Sequence, residues 1–295
     1  MNPDEIKISH ADKVFYPDDD VTKGDVVEYY RQVASSMLPH LRGRPLTLRR
    51  YPDGISHEGW FQKEASGHFP DWLRVEAVPQ RAGGTVHHVI CEDEASLVYL
   101  ANQATIEFHV WPSTVDRLDG PDLLVVDLDP PDGVEVKELR RIARQVRDLF
   151  DELGLTPFVQ ATGGRGFHVV APLDTSADYE LVRAFAREVA EHLAAGDPDR
   201  LTTEQRKDKR GDRVFLDTNR NGYAQTFVAP YSLRARPGAA VATPLDWDEL
   251  GRAEPNGFEL RKIKQRLARK GDPWRDLHSR GASAEKARER LRRLS

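Results

Sequence analysis

The sequence contains almost no cysteine and no long apolar run, and these scarcities exclude several classes of protein. Cys91 is the only cysteine among 295 residues, so the chain cannot form an internal disulfide or a zinc site built from several thiolates. Because Cys91 lies within an apolar run, it is interpreted as a small packed hydrophobe. No apolar run reaches the length of a membrane span, and the first residues lack the apolar core of a signal peptide. These features predict a cytoplasmic protein without membrane association.

An excess of positive charge is also missing. The formal net charge is −5, which argues against a protein that coats nucleic acid nonspecifically. The basic residues are instead clustered, and residues 261–270 carry six bases and no acid. The chain has no internal repeat, no low-complexity segment and no linker rich in proline and serine. A chain of this length and composition can fold as one large domain or as two fused modules.

The spacing of apolar residues switches between helical and strand periods, which predicts an α+β fold with partly antiparallel sheets. Thr22 and Asp25 have the spacing of a capping box that opens the first helix. Further helices are predicted at about 96–108, 136–153, 177–195 and in the basic tail after 258. Strands are predicted at 46–50, 73–78, 123–129, 158–161, 167–171, 214–217 and 223–228. Residues 53–68 are predicted to form a loop rich in glycine and histidine.

The most informative stretch is an apolar segment of strand length that ends in Asp127 and Asp129. Because side chains alternate faces along a strand, both carboxylates point to the same side. Two carboxylates this close repel unless a cation lies between them, and Mg²⁺ or Mn²⁺ takes such oxygen ligands. The pair therefore indicates phosphoryl or nucleotidyl transfer, although a solvated strand end would show the same pattern.

A third carboxylate, Asp217, ends the apolar strand predicted at 214–217. Three carboxylates can hold two metal ions, one that activates the attacking hydroxyl and one that neutralises the triphosphate and the leaving group. Taken by itself, Asp217 could equally begin the turn that follows it.

A glycine-rich segment, Thr162 to Gly166, joins two short strands. Glycines allow close approach of the backbone, and consecutive N–H groups can bind phosphate oxygens. Arg165 adds positive charge, and His168 alternates with its apolar neighbours and can donate to a phosphate. Arg234 follows a later strand, where its guanidinium can bind a phosphate with two hydrogen bonds. An ordinary tight turn and a surface arginine are the alternative interpretation.

Four motifs follow one another along the chain: Asp127-Leu128-Asp129-Pro130, Thr162-Gly163-Gly164-Arg165-Gly166-Phe167-His168, Val214-Phe215-Leu216-Asp217 and Ala229-Pro230-Tyr231-Ser232-Leu233-Arg234. Together they resemble the polymerase domain of bacterial DNA ligase D, in the archaeo-eukaryotic primase superfamily. Segments 12–17, 22–26, 44–50 and 61–63 are also similar, so the resemblance spans nearly the whole chain. It implies a single primase-polymerase domain over 1–295, with an N-terminal subdomain of about 1–115 and a catalytic subdomain of 116–295. The implied fold has two mixed or antiparallel sheets flanked by helices, and its catalytic sheet resembles an RNA-recognition motif.

The resemblance also implies a role for each matching residue at the site of chemistry. Asp127, Asp129 and Asp217 would be the catalytic metal ligands, and would bind two Mn²⁺ or Mg²⁺ ions. The residues around the incoming nucleoside triphosphate would be His109, Thr162, Arg165, His168, Arg210 and Arg234. The family often has serine and lysine where this chain has Thr162 and Arg165, so the hydroxyl and the charge are kept but the nucleotide preference could differ.

On the DNA, the resemblance implies that Trp60 and Phe61 stack on the template base, where an aromatic face accepts any base. Lys13 and Lys23 match the pair that holds the 5′-phosphate across a gap. The remaining DNA contacts would be made by two basic residues, Arg50 and Lys63. The position of Lys23 supports its role independently, because its charge opposes the dipole at the start of a helix. A bound phosphate would relieve that conflict and use the free N–H groups there.

These observations predict a metal-dependent, template-directed nucleotidyltransferase that fills short 5′-phosphorylated gaps in DNA, during non-homologous end joining or excision repair. The resemblance implies a preference for ribonucleotides over deoxyribonucleotides. Gapped or broken DNA and nucleoside triphosphates are the expected partners, with the end-binding protein Ku and a separate ATP-dependent DNA ligase as further candidates. The chain is expected to be a monomer associated with the nucleoid.

The adenylation motif Lys-x-Asp-Gly is absent, so the chain resembles a polymerase that stands alone or has been excised from a larger polypeptide. Three other functions stay open. The chain could be a primase that starts without a primer, a non-catalytic module that recognises phosphorylated DNA ends, or a metal-dependent phosphoesterase.

Overall fold

The structure is a computed structural model that describes residues 1–294, and Ser295 lies outside the described residues. The strands are β1 Val14–Tyr16, β2 Val21–Thr22, β3 Leu46–Arg50, β4 Trp60–Gln62, β5 Val75–Pro79, β6 Thr85–Val89, β7 Thr105–Val110, β8 Leu123–Asp129, β9 Phe158–Ala161, β10 Phe167–Pro172, β11 Leu201–Thr202, β12 Val214–Asp217, β13 Phe227–Val228 and β14 Thr243–Leu245. The helices are α1 Lys23–Leu41, α2 Glu94–Asn102, α3 Val136–Glu152, α4 Tyr179–Gly196, α5 Leu260–Lys270 and α6 Ala284–Leu294. The predicted α+β class is confirmed. None of the helices within residues 1–294 is long and apolar enough to cross a membrane.

The chain forms two compact units, and it enters each of them three times. The first unit comprises Met1–Asp116, Thr226–Thr243 and Asn256–Asp272. The second unit comprises Arg117–Gln225, Pro244–Pro255 and the residues from Pro273 onward. The predicted division into an N-terminal subdomain of about 1–115 and a catalytic subdomain of 116–295 stays a prediction.

The second unit is built on a six-stranded sheet with the order β11-β12-β8-β10-β9-β14. Strand β8 is antiparallel to β12 and β10, β10 is antiparallel to β9, and β11 runs parallel to β12. Helices α3 and α4 pack on the central strands through apolar stripes, which for α3 include Leu139, Ile142 and Val146. Each fully buried side chain of this kind contributes about 1.5–3 kcal/mol to folding. The sheet is therefore a rigid support for the side chains at the ends of its central strands.

The first unit contains an antiparallel sheet with the order β13-β7-β3-β4. Helix α1 begins with the predicted capping box, in which Thr22 and Asp25 bond each other's backbone N–H groups. Its apolar stripe is buried, and α1 packs against α2. Cys91 is fully buried, as its apolar surroundings predict.

The prediction of one helix over residues 96–108 is wrong. Helix α2 ends at Asn102, and β7 begins at Thr105. Between them Ala104 adopts the left-handed conformation, with φ 63°, which stops the helix. The β-branched residues Thr105 and Ile106 favour a strand, and β7 finds its partner in β3, a pairing between segments far apart in the sequence.

Several smaller predictions also change. The loop predicted over 53–68 contains β4, because Trp60–Gln62 pairs with β3. The strand predicted over 223–228 shortens to Phe227–Val228, after a turn at Ala224 with φ 61°. The strand predicted over 73–78 begins later, at Val75. The strands at 158–161 and 214–217 are confirmed, as is the hairpin that joins β9 to β10.

Candidate functional site

Three neighbouring strands of the second unit place predicted site residues in one row. Asp127 on β8 lies opposite Asp217 on β12 and, on its other side, opposite His168 on β10. Directly opposed residues point to the same face of a sheet, with Cβ atoms about 5 Å apart. Asp129 lies two residues further along β8 and shares this face. Strand pairing therefore brings the three predicted metal ligands and His168 to one face at the end of β8.

Arginine side chains surround Asp129. Arg210 donates to its carboxylate at 3.1 Å, and its guanidinium lies 3.8 Å from the ring centre of Phe215, the residue opposite Asp129. The Arg165 guanidinium lies 3.5 Å from Asp129 and donates to Asp132 at 2.6 Å. Two residues predicted to bind the triphosphate are thus adjacent to a predicted metal ligand.

A third arginine, which the sequence analysis did not single out, lies beside the other two carboxylates. Arg220 follows β12 in a short 3₁₀ turn, and its guanidinium lies 3.7 Å from Asp127 and 3.5 Å from Asp217. The backbone N–H of Asn219 donates to the other oxygen of Asp217 at 2.9 Å. Nε2 of His168 lies 3.5 Å from Asp127. Every carboxylate of the triad therefore has a basic side chain within 4 Å.

The triad fits divalent cations by its ligand chemistry, because it offers several carboxylate oxygens on one face and remains partly accessible to solvent. The exposed side-chain fractions are 17% for Asp127, 36% for Asp129 and 13% for Asp217. Basic side chains lie among these oxygens.

A second cluster of acids lies elsewhere in the second unit. Within residues 1–294, the three acids whose ligand atoms all lie within 4.8 Å of one another are not the triad but Asp246, Asp248 and Glu249. There Glu249 caps a short turn by accepting from the backbone N–H of Asp246, so local turn geometry accounts for that cluster.

The glycine-rich hairpin is held tightly to the end of β8. Thr162 donates its hydroxyl to the carbonyl of Gly166 at 2.8 Å and accepts from the N–H of Gly164 at 3.2 Å. A Cβ at Gly166 would lie 1.8 Å from the carbonyl oxygen of Leu128, so only glycine fits there. The Thr162 hydroxyl therefore shapes the turn that carries Arg165 to Asp129. Binding of phosphate by this turn stays a prediction.

In the first unit, a buried glutamate organises two predicted nucleotide-binding residues. Glu107 is 1% exposed, and Nε2 of His109 donates to it at 2.9 Å. The guanidinium groups of Arg49 and Arg234 lie 3.2 and 3.5 Å from Glu107, and the N–H of Ala235 donates to it at 2.9 Å. Burial alone would raise the pKa of Glu107, but the His109 hydrogen bond and the Arg234 charge together hold this pKa well below its ordinary value. The glutamate is therefore ionised at neutral pH, where it pairs with several bases.

Two aromatic residues predicted to stack on the template lie exposed on β4 and are supported by arginine. Phe61 is 58% exposed, and the Arg49 guanidinium lies 5.1 Å from its ring centre. The His109 ring meets Phe61 edge-on at 5.6 Å. The Arg50 guanidinium lies 5.6 Å from the ring centre of Trp60. These rings can accept a base on a solvent-facing surface, while Lys63 is exposed just after the strand.

The predicted phosphate-binding lysines also lie near each other. The Lys23 side chain is mostly buried, and its ammonium donates to the carbonyl and the hydroxyl of Ser9 at 2.6 and 2.8 Å. Burial lowers the pKa of Lys23, and the charges of Lys13 and Arg50 lower it further. Lys13 forms an ion pair with Asp53 at 2.6 Å, where both side chains are exposed. Three bases close enough to repel one another make a site that an anion would stabilise.

One part of the phosphate-site prediction is wrong. The N–H groups at the start of α1 are not free, because those of Lys23 and Gly24 donate to the carbonyls of Lys13 and Ala11, each at 2.8 Å. The N–H of Asp25 donates to the Thr22 hydroxyl. An anion at this site would therefore be held by side chains and not by the end of the helix.

Sequence reasoning missed three residues of these clusters: Arg220, Arg49 and Glu107. Glu107 lies two positions before His109, a spacing that places both on one face of a strand but not of a helix. The wrong helix prediction over 96–108 concealed this relation. Arg220 is three residues after Asp217, and its position was visible only as part of a turn-forming segment.

Comparison with known proteins identifies the family of the chain. The model of the family described as LigD, primase-polymerase domain, matches residues 22–274. A multifunctional non-homologous end joining DNA repair protein LigD of Mycobacterium tuberculosis is 36% identical over 275 residues, which cover 90% of this chain and 36% of the relative. The corresponding protein of Pseudomonas aeruginosa is 33% identical, with 92% and 32% covered. The chain thus spans about a third of the length of these relatives.

A solved structure, titled as the polymerase domain from Mycobacterium tuberculosis ligase D in complex with DNA, superposes with a TM-score of 0.87 at 33% identity. The match covers 94% of this chain and 99% of that domain. The similarity therefore extends over the whole fold and is not confined to the motifs. By sequence and by structure, the chain belongs to the LigD primase-polymerase domain family.

Proposed function

We propose that the protein is a template-directed nucleotidyltransferase that adds nucleotides to a primer 3′-hydroxyl at short gaps in DNA. The observation that carries the proposal is the row of Asp217, Asp127 and His168 on adjacent strands, with Asp129 on the same face. Carboxylates with basic groups between and beside them can bind both divalent cations and polyphosphate. Membership in the LigD primase-polymerase family makes nucleotidyl transfer the reaction that fits this arrangement best.

In the second unit, Asp127, Asp129 and Asp217 would hold Mn²⁺ or Mg²⁺. When bound, such ions lower the pKa of an attacking hydroxyl and neutralise charge on a triphosphate and its leaving group. Arg165, Arg210 and His168 would bind and orient the triphosphate, because guanidinium groups form two hydrogen bonds with phosphate oxygens. Arg210 is already oriented by its stacking on Phe215 and by bonds to backbone carbonyls, so little conformational entropy is lost on binding.

In the first unit, His109 and Arg234 would contact the incoming nucleotide, and Glu107 would keep both in place. Phe61 and Trp60 would stack on the template base, with Arg49 and Arg50 beneath them. Arg50 and Lys63 would make further contacts with the DNA, and Lys13 and Lys23 would bind the 5′-phosphate at the far side of a gap. This last assignment is why a phosphorylated gap is proposed as the substrate in preference to an unprimed single strand.

The relatives are named as non-homologous end joining proteins, and the similar structure is titled as a complex with DNA. We propose that this activity serves the repair of DNA breaks, and that the protein is associated with the nucleoid. Ku and an ATP-dependent DNA ligase are the proposed partners. A preference for ribonucleotides, as the family resemblance implies, is part of the same proposal.

Primer extension across a short gap tests this proposal. The template would carry a downstream strand with or without a 5′-phosphate, and Mn²⁺ would be supplied with ribonucleotides or deoxyribonucleotides. We expect template-matched extension that is faster with ribonucleotides, depends on the 5′-phosphate and is lost in Asp127→Asn. Dinucleotide synthesis without a primer would instead identify a primase.

Two other outcomes would overturn the proposal. Tight, metal-independent binding to the phosphorylated gap without extension would identify a module that only recognises DNA ends. Release of nucleotides from labelled DNA would identify a phosphoesterase. The clustered carboxylates argue against the first of these, because acids that bind no cation would repel the DNA backbone.

A further inference from the structure

Arg220 is the base that bridges two of the three carboxylates. Its guanidinium lies 3.7 Å from Asp127 and 3.5 Å from Asp217, the two acids placed directly opposite each other on β8 and β12. A divalent cation shared by these acids would need the same oxygens. Arg220 thus carries positive charge to the point where the repulsion between the two carboxylates is strongest.

The surroundings of Arg220 differ from those of Arg210, an arginine that pairs with the third carboxylate, Asp129. The Arg210 side chain is 13% exposed, stacks on Phe215 and donates to two backbone carbonyls, so it is held in place. The Arg220 side chain is 38% exposed, and its ion pairs are long. Long ion pairs made by an exposed guanidinium are weak, so Arg220 can turn toward solvent at little cost.

We propose that Arg220 is a counter-ion built into the active site that competes with the divalent cation for Asp127 and Asp217. The inference rests on the proposed function, because it assigns these acids to metal binding. Without nucleotide, Arg220 balances the carboxylates and keeps the affinity for free metal low. A cation that arrives with a triphosphate brings further ligands of its own and displaces the guanidinium. The residue therefore favours loading of metal together with nucleotide over loading of metal alone.

Titration of Mn²⁺ without nucleotide, followed by calorimetry or by the electron paramagnetic resonance signal of free Mn²⁺, tests this competition directly. The wild-type protein would be compared with Arg220→Gln and with Arg206→Gln. Arg206 is a matched control, since it also lies in the second unit and pairs with a carboxylate, that of Asp208, outside the triad. We expect Arg220→Gln to bind Mn²⁺ about three- to ten-fold more tightly, because one weak ion-pair competitor has been removed. Arg206→Gln should bind as the wild type does.

Two further variants locate the effect. In Asp127→Asn the gain from Arg220→Gln should shrink, because one of the two carboxylates for which the guanidinium competes is lost. Asp248→Asn should leave the gain intact, because the cluster of Asp246, Asp248 and Glu249 is separate from the triad. Circular dichroism would establish that each variant is folded.

The outcomes separate the inference from the proposed function. Equal or weaker Mn²⁺ binding by folded Arg220→Gln overturns the competition, provided that Asp127→Asn still reduces binding in the wild-type background. If Asp127→Asn leaves Mn²⁺ binding unchanged, the metal site itself is wrong, and the proposed function fails along with the inference. A gain in Arg220→Gln that is undiminished in Asp127→Asn also overturns the proposal.

Discussion

The two units arrange opposite charges in contrasting ways. In the first unit a single acid, Glu107, is 1% exposed and is contacted by Arg49, Arg234 and His109. In the second unit three acids lie on one face of a sheet, each partly exposed and each beside a base. A fully buried acid among bases can only hold those bases in place, because no ligand can reach it. Acids that remain accessible can exchange their basic neighbours for another cation, so burial decides which acids can bind metal.

The same comparison separates the roles of the basic residues. Around Glu107, Arg49 and His109 contact the exposed ring of Phe61, which suits stacking on a base of nucleic acid. The basic residues around the triad pair with accessible carboxylates, an arrangement that suits the proposed binding of a metal together with a polyphosphate. Four predictions test this contrast.

The largest effect is expected when an accessible acid is compared with a neighbour that shares its arginine. Asp129→Asn should lower the rate of primer extension about 10³-fold, because loss of a metal ligand removes several kcal/mol of transition-state stabilisation. Asp132→Asn is the matched control, since Arg165 contacts both acids but Asp132 is 95% exposed and outside the triad. Equal losses in the two variants would show that Arg165 matters and that Asp129 is not a metal ligand.

The buried acid should act on stability. Glu107→Gln should lower the free energy of unfolding by about 3 kcal/mol at pH 7, because it leaves partly buried bases without their charge partner. The low pKa of folded Glu107 stabilises the fold above the ordinary glutamate pKa of about 4.3, and this contribution is lost as the pH falls below that value. Urea unfolding should therefore show the difference between wild type and variant narrowing from pH 7 to pH 3. A difference that stays constant with pH would mean that packing, and not charge, explains the loss.

A smaller effect is expected at the basic cluster of the first unit. Lys23→Met should reduce the ratio of extension rates on 5′-phosphorylated and unphosphorylated gaps about ten-fold. This factor corresponds to the loss of one charge-assisted hydrogen bond. The ratio of extension rates on the two gaps measures this, and Lys286→Met on α6 serves as the control. An unchanged ratio would show that Lys23 does not bind the 5′-phosphate, and it would not affect the proposal that the protein is a polymerase.

The smallest effect should come from an exposed ring. Phe61→Ala should weaken binding of gapped DNA about five- to ten-fold, within the range for loss of one stacked base. Trp72→Ala is the matched control, because Trp72 is also an exposed aromatic residue of the first unit but packs against Tyr99. Fluorescence anisotropy at fixed salt gives both affinities. Equal weakening in the two variants would indicate that Phe61 does not stack on a base of the DNA.

Much of the site could be predicted from the sequence because its signals are local. The Asp-x-Asp pair needs only the alternation of a strand, and the capping box of α1 needs only a spacing of three residues. The glycine-rich hairpin between β9 and β10 was likewise readable, since its turn and both strands are contiguous in the chain. The α+β class and the family resemblance followed from the order of such segments.

Other features depended on contacts between distant segments. Whether residues 105–108 form a helix or a strand was decided by pairing of β7 with β3, more than 50 residues earlier in the chain. The row of Asp217, Asp127 and His168 exists because β12, β8 and β10 are neighbours in register, and no local pattern encodes that register. Arg220 lies beside Asp127 for the same reason, because β12, which Arg220 follows, pairs with β8. The sequence by itself thus determined which chemical groups are present and which local turns carry them, since these depend on nearest neighbours along the chain. Only the tertiary structure decided which charges meet, because strand pairing and burial are properties of segments that are far apart in sequence.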